Sequence, residues 1–324
     1  MSVRERQMSV ENTFGKLFLS VGAMKAGTTW LYAALKRHPA LHFTPEKELH
    51  YFFQKHFDSG HLDSALRRRL AQQKYVPIFR GVKGQKMFPT SRLQRFVQNR
   101  LGRFLPEGKL DLTGLSEQDS AWIKNYLAEP VDDAWFNRLF DMTAGEIYAC
   151  EFSNLSAQLP ADFWADLHSR SETLKVLYTL RDPVKRLWSH TKFQLQMTQQ
   201  LHLLDSWKPQ DFENFARKPA IWDSAEYGRS CRALMQSLPE DALRIQSYED
   251  MILEPKGTLT AIEEFLEVPA FKYPNWMMTR RPNKSASVRM PDFFPSLFAE
   301  DIARINGELE DLGLAIQKGW MSPD

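Results

Sequence analysis

Cysteine is scarce. Cys150 and Cys231 are the two among 324 residues, too few for a disulfide framework and without metal-ligand spacing. No run of roughly 18 apolar residues occurs, so no membrane-spanning helix is expected. Linkers rich in Gly, Ser or Pro, internal repeats and low-complexity tracts are also missing, and a single domain over residues 1–324 is expected. The net charge of +2 is too small to argue for nucleic acid. The histidines show no convincing metal spacing; His38 and His42 are interrupted by Pro39 and read as a turn. The stretch "MSVRERQMSVENTFGK" has no apolar core of the signal-peptide kind. A cytoplasmic protein is the expectation.

What is present is ordinary for a globular chain: 43% hydrophobic and 25% charged residues, enough for a sizeable core. Short apolar runs at 17–21, 147–150, 174–180 and 243–246 read as strands. Helical patterns at 28–37, 183–197, 225–237, 256–266 and 296–312 separate them. Strands alternating with helices predict an α/β fold with a mainly parallel sheet covered on both faces. Residues 55–145 lack clear strands and read as a helical insertion. Within it, residues 80–109 hold eight Lys or Arg against Glu107 alone. Acids follow from Asp111 to Asp133, so the run fits a solvated face as well as a surface that attracts an anionic substrate.

The string "LFLSVGAMKAGTTWLYAALK" carries the chemistry. It runs strand, glycine-bounded turn, helix, and nearly spells a Walker A loop. Gly22 and Gly27 have the right spacing, but Thr28 stands where the Walker lysine belongs and Lys25 lies inside the turn. Turn amides and a helix N-terminus converge on one spot and favour an anion. Thr28 and Thr29 open the helix and could add hydroxyl donors or cap it.

"GAMKAGTTWL" resembles the 5′-phosphosulfate loop of sulfotransferases that use 3′-phosphoadenylyl sulfate (PAPS). The resemblance implies a P-loop-like three-layer fold and a donor site of Lys25, Ala26, Gly27, Thr28, Thr29 and Trp30, with Lys25 beside the bridging oxygen. A second string agrees. In "LKVLYTLRDPVKRLWSH", Arg181 ends a strand and Ser189 lies two helical turns on, the pair that grips the 3′-phosphate in that family. "RRPNKSASVR" resembles a late loop that closes over the nucleotide, with Asn283, Lys284 and Ser285 as the implied contacts. "SYEDMILEP" resembles a segment after a late strand and reads equally well as a helix start.

Transfer to a hydroxyl needs removal of a proton. "EKELHYFF" resembles the segment of carbohydrate 3-O-sulfotransferases and bacterial relatives whose glutamate is the general base. Glu48 matches the base and His50 its neighbour; an extended segment would put both on one face. Phe53 stands where those enzymes have an acidic residue. In "CEFSNLSA" Glu151 and Ser153 match their Glu-Lys-[ST]-Pro pattern, while Phe152 replaces the lysine and Asn154 the proline. The implied reaction is sulfuryl transfer from PAPS to a hydroxyl-bearing small-molecule, lipid or carbohydrate acceptor, with no metal. A P-loop phosphotransferase, or a non-catalytic nucleotide- or anion-binding module, is the alternative.

Overall fold

The computed structural model describes residues 13–58, 62, 76–80, 85–88, 116–140, 142, 145–279, 288–314 and 320. Its strands are β1 (Phe14–Gly22), β2 (Leu41–Phe43), β3 (Val76–Arg80), β4 (Gln85–Phe88), β5 (Tyr148–Phe152), β6 (Ser171–Leu180) and β7 (Leu243–Ser247). Five of them form one sheet in the order β2–β5–β1–β6–β7. Every neighbouring pair in it is parallel, so all five C-terminal ends share one edge. β1 lies between β5 and β6. The chain leaves β1 first toward β2 and later continues on its other side, the kind of topological switch point at which open α/β sheets bind ligands.

Alternation along β1 builds the layers. Leu17, Leu19 and Val21 face a core that includes Trp164 and Leu167 of α5 (Ala161–Ser169) and Leu234 of α7 (Tyr227–Ser237). Ile305 of α11 (Ala299–Asp311) joins the same core. Phe18 faces the opposite core with Leu31 and Leu35 of α1 (Thr28–Leu35) and Ile262 and Leu266 of α9 (Pro255–Leu266). Covered on both faces, β1 reads as a near-continuous apolar run. The three-layer α/β fold expected from the sequence is the one observed.

α6 (Pro183–Met197) starts as its sequence dictates. Asp182 accepts from the Lys185 amide at 3.1 Å, and Pro183 sits at N1, where a missing N–H costs nothing. Ser247 likewise caps α8 (Tyr248–Leu253) through the amides of Glu249 and Asp250.

Two expectations need correction. Residues 55–145 are not wholly helical. α3 (Glu117–Leu127) and α4 (Asp133–Arg138) are there, but β3 and β4 pair antiparallel. Pro77 cannot donate to a ladder, and the register shifts between Pro77 and Phe79, which breaks the alternation that would reveal a strand. His42 lies not in a turn but in β2, a three-residue edge strand too short to show periodicity. His38 does lie in a turn; its Nδ1 accepts from Ala40 N at 3.1 Å and its Nε2 donates to Pro269 O at 2.8 Å.

Asp133 joins α4 to α2 (Tyr51–Phe57) and to the turn before β6, accepting from Tyr51, Lys55 and Arg170. Burial pushes its carboxyl up, but the hydrogen bonds from Lys55, Tyr51 and Arg170 outweigh that and hold it below its usual range. Its contribution is therefore present at neutral pH and fades as the pH falls below about 4. Asp133→Ala is expected to lower the unfolding free energy at pH 7 by about 1.5–3 kcal/mol, the range for hydrogen bonds to a charged group. Urea titrations at pH 7 and pH 3 measure it, and the difference between variant and parent should shrink at pH 3.

Candidate active site

Three neighbouring strand ends supply the site. β1 runs into the loop 23–27, β6 into Arg181, and β5 into residues 153–154. The loop is fixed by its backbone. Ala23 N donates to Thr179 O at 2.8 Å, and Gly27, with φ of 81°, caps α1. A Cβ at Gly27 would lie 2.3 Å from Met251 Cε and 2.9 Å from the Tyr248 ring, so only glycine fits between loop and α8. Thr28 and Thr29 are the first helical residues and do not cap. Thr28 and Ala26 are buried. The Trp30 indole N–H reaches Met277 O in α10 (Asn275–Thr279) at 2.9 Å.

Lys25 and Arg181, distant in sequence, meet here. Arg181 Nη1 donates to the Lys25 carbonyl at 2.8 Å, and its guanidinium lies 4.4 Å from the centroid of the Tyr248 ring. Arg181 Nε is buried and makes no hydrogen bond, which fits a group still able to receive an acceptor oxygen. The Lys25 ammonium sits 4.3 Å from the centre of the Phe193 ring. Burial, then the Arg181 charge, lowers its pKa to about 8; Lys192 and Lys47 act in the same direction, and Glu48 opposes. Lys192 is also lowered, by burial and then Arg181. Like charges are thus concentrated where an anion would relieve them. Ser189 is buried on α6, one turn before Lys192.

The acceptor-side residues depart from the expected shape. Residues 48–50 are not extended: Glu48 and His50 have φ of 64° and 57°. His50 is buried as the N-cap residue of α2, its amide bonded to Ser153 Oγ at 2.9 Å. Glu48 receives Lys47 Nζ at 2.8 Å and Asn154 Nδ2 at 3.1 Å on one oxygen. The structure therefore places Lys25, Arg181 and Glu48 in one neighbourhood. Asn283, Lys284, Ser285 and the side chains of the basic run 80–109 lie outside the described residues.

Sequence reading passed over several neighbours. Phe193 and Lys192 lie within the helix pattern of 183–197, which did not reveal that they face Lys25. Glu249 serves structure, accepting from Asp182 N at 3.1 Å. Arg186 and His190 are fully buried; Arg186 Nη1 donates to His190 Nδ1 at 3.1 Å and Nη2 to Ile221 O at 3.2 Å. Burial, Arg186 and Lys25 bring the His190 pKa down to about 3, so its ring stays neutral at physiological pH. Among the described residues, no cluster of three or more His, Cys, Asp or Glu is arranged to hold a metal ion.

Residues 16–274 match the family model described as "Sulfotransferase domain". The chain belongs to the sulfotransferase domain family. Curated relatives include carbohydrate sulfotransferase 15 of Rattus norvegicus, 27% identical over 180 residues, and that of Homo sapiens, 26% identical over 172 residues. In both, the matched stretch covers 53% of this chain and only 26% of the relative. In three dimensions a sulfotransferase from Alicyclobacillus acidocaldarius superposes with a TM-score of 0.57 at 20% identity, covering 95% of this chain and 99% of that one. The sulfotransferase domain of the Synechococcus PCC 7002 olefin synthase gives 0.52 at 16% identity, with 95% and 97% covered. These two structures share the fold.

Glu151, next to last in β5, lies beside the site, and burial pushes its carboxyl up to about 7. The folded protein thus holds this proton more tightly than the unfolded chain, so the stability it contributes is full below pH 4.5 and is lost as the pH rises through 7. Glu151→Gln should flatten that dependence, by roughly 3 kcal/mol at most between those limits. Urea titrations of both proteins from pH 4.5 to 8 measure it. Parallel curves would show that the carboxyl is not held protonated.

Proposed function

We propose that the protein transfers a sulfuryl group from PAPS to a hydroxyl of its acceptor. The observation that carries this reading is the Arg181–Lys25 contact, which joins the glycine-bounded loop to the β6 end in a single anion seat. The loop amides, Thr28 and Thr29 would hold the 5′-phosphosulfate, with Trp30 beside them. Arg181 and Ser189 would hold the 3′-phosphate; Arg181 has a buried, unbonded Nε to offer. Asn283, Lys284 and Ser285 are further candidate contacts of the donor.

The chemistry asks two things of these side chains. As the sulfur–oxygen bond to the donor breaks, negative charge grows on the bridging oxygen, and the Lys25 ammonium stabilises it. On the opposite side, the Glu48 carboxylate takes the proton of the attacking hydroxyl, and His50 orients the neighbourhood. A phosphotransferase would need a carboxylate for Mg²⁺ at a strand end. Asp182, which stands there, is engaged as the cap of α6 and by Lys185 Nζ at 2.9 Å. The acceptor is a hydroxyl compound; carbohydrate is the class suggested by the curated relatives. A cytoplasmic location remains part of this proposal.

A ligand of the folded state alone raises stability by mass action, by about 2.7 kcal/mol at a hundredfold excess over Kd. PAP, the desulfonated donor product, is therefore expected to raise Tm without Mg²⁺, and ATP, lacking the 3′-phosphate, to do so less. Arg181→Ala should erase most of that preference. Equal stabilisation by ATP, or a requirement for Mg²⁺, would overturn the donor assignment. Above pH about 8, where Lys25 loses its proton, PAP affinity should weaken, and Lys25→Met should abolish this pH dependence.

Lys25→Met is further expected to lower turnover by on the order of 10²–10³, more than it lowers PAP affinity. Glu48→Gln should lower kcat by about 10²-fold or more with PAP binding intact, and His50→Ala should be milder. Labelled PAPS with a panel of alcohols, phenols and sugars measures both. An inactive His50→Ala beside an active Glu48→Gln would move the base to His50.

A further inference from the structure

Three contacts tie the end of β5 and the two residues after it to the segment that carries Glu48. Leu49 N donates to Glu151 Oε1 at 3.1 Å, His50 N to Ser153 Oγ at 2.9 Å, and Asn154 Nδ2 to Glu48 Oε1 at 3.1 Å. The Ser153 hydroxyl donates to the same Glu151 oxygen that holds Leu49. We infer that Glu151, Ser153 and Asn154 are positioning residues that hold the Glu48 carboxylate in its working orientation. The inference rests on the reading of Glu48 as the base.

The backbone supplies the first reason. Glu48 and His50 flank Leu49 and both have positive φ, a conformation that side chains other than glycine seldom adopt. Such a backbone persists where its surroundings over-determine it. Here those surroundings are visible as two amide hydrogen bonds and a Leu49 side chain buried in the main core. The support is rigid, because Glu151 belongs to β5, which is bonded to β2 and β1 on its two sides.

Asn154 supplies the second reason, because it touches the carboxylate itself. It stands where the carbohydrate enzymes have proline, so an amide donor is present at a position that otherwise has none. A hydrogen bond donated to a carboxylate favours its ionised form. Lys47, on the same oxygen, and Lys25, across the site, favour ionisation too. Glu151 opposes it when it is itself ionised. Asn154 therefore fixes the direction of the carboxylate and helps keep it ready to accept a proton.

The test uses the full chain and four variants. Asn154→Leu removes the donor at similar volume; Ser153→Ala and Glu151→Leu remove the backbone acceptors; Glu151→Gln keeps an acceptor and is the conservative rescue. Ionisation of Glu48 is followed by NMR on glutamate-labelled protein, with Glu48→Gln giving the assignment. Amide exchange of the peptide bearing Leu49 and His50 is followed by mass spectrometry. Release of PAP from PAPS, with water as acceptor, is followed across pH.

Asn154→Leu is expected to raise the Glu48 pKa and to move the acid limb of PAP release upward by the same amount. PAP-induced stabilisation should not change. Ser153→Ala and Glu151→Leu should speed amide exchange about tenfold or more, while Glu151→Gln retains protection. An unchanged Glu48 titration in Asn154→Leu, or unchanged exchange in Ser153→Ala, overturns the inference. Both variants remain decisive should Glu151→Leu fail to fold. If the parent protein neither binds PAP nor releases it from PAPS, the donor reading fails instead, and the titration and exchange data still decide the positioning.

Discussion

The hydrogen bond from Arg181 to the Lys25 carbonyl brings together two side chains that repel each other. Burial, and after it the Arg181 charge, lowers the Lys25 pKa to about 8 and lowers that of Lys192 as well. Such a concentration of like charge in a partly dry place is unfavourable unless rigid elements impose it. The parallel sheet does so: β1 and β6 are bonded over most of their length, and their ends cannot move apart without unpairing the centre of the fold. The cores on both faces therefore stabilise an arrangement that its own charges oppose. An anion bound among these cations would relieve that repulsion.

The acceptor side is built on a different principle. Around Glu48 the chain uses backbone amides and short polar groups, with Glu151 and Ser153 taking amides and Asn154 meeting the carboxylate. Lys47 Nζ also meets Glu48, and Lys25 feels Glu48 as a charge that raises its pKa. A carboxylate close to a group of cations suits a reaction in which an anionic leaving group departs and a proton is taken up.

Four of the sheet's five strands were legible in the sequence, β1 and β6 as clear apolar runs and β5 and β7 as shorter ones. The start of α6 was legible to the residue, since Asp182-Pro183 states a cap and a first turn. β2 and the β3–β4 hairpin were hidden, the first by having three residues and the second by Pro77 and its irregular register. In the site, Lys25 and Arg181 were readable because the glycine spacing and the strand-end arginine are local patterns. The bend at residues 48–50 was not readable, because its positive φ values belong to Glu48 and His50 and no glycine announces them. Phe193 was equally silent: a helix pattern gives a face, but not the group that will rest upon it.

Tyr248 has two neighbours at once. Its ring packs where a Cβ on Gly27 would have to go and also lies beneath the Arg181 guanidinium. Ser247 caps the short helix on which it sits, and Glu249, the next residue, receives the amide of Asp182. One aromatic plane is thus a common wall for the turn after β1 and for the arginine after β6. Residues that share a partner do not respond independently to substitution. Alterations at Gly27 and at Arg181 should accordingly behave as one thermodynamic unit, and a smaller side chain at Tyr248 would uncouple them.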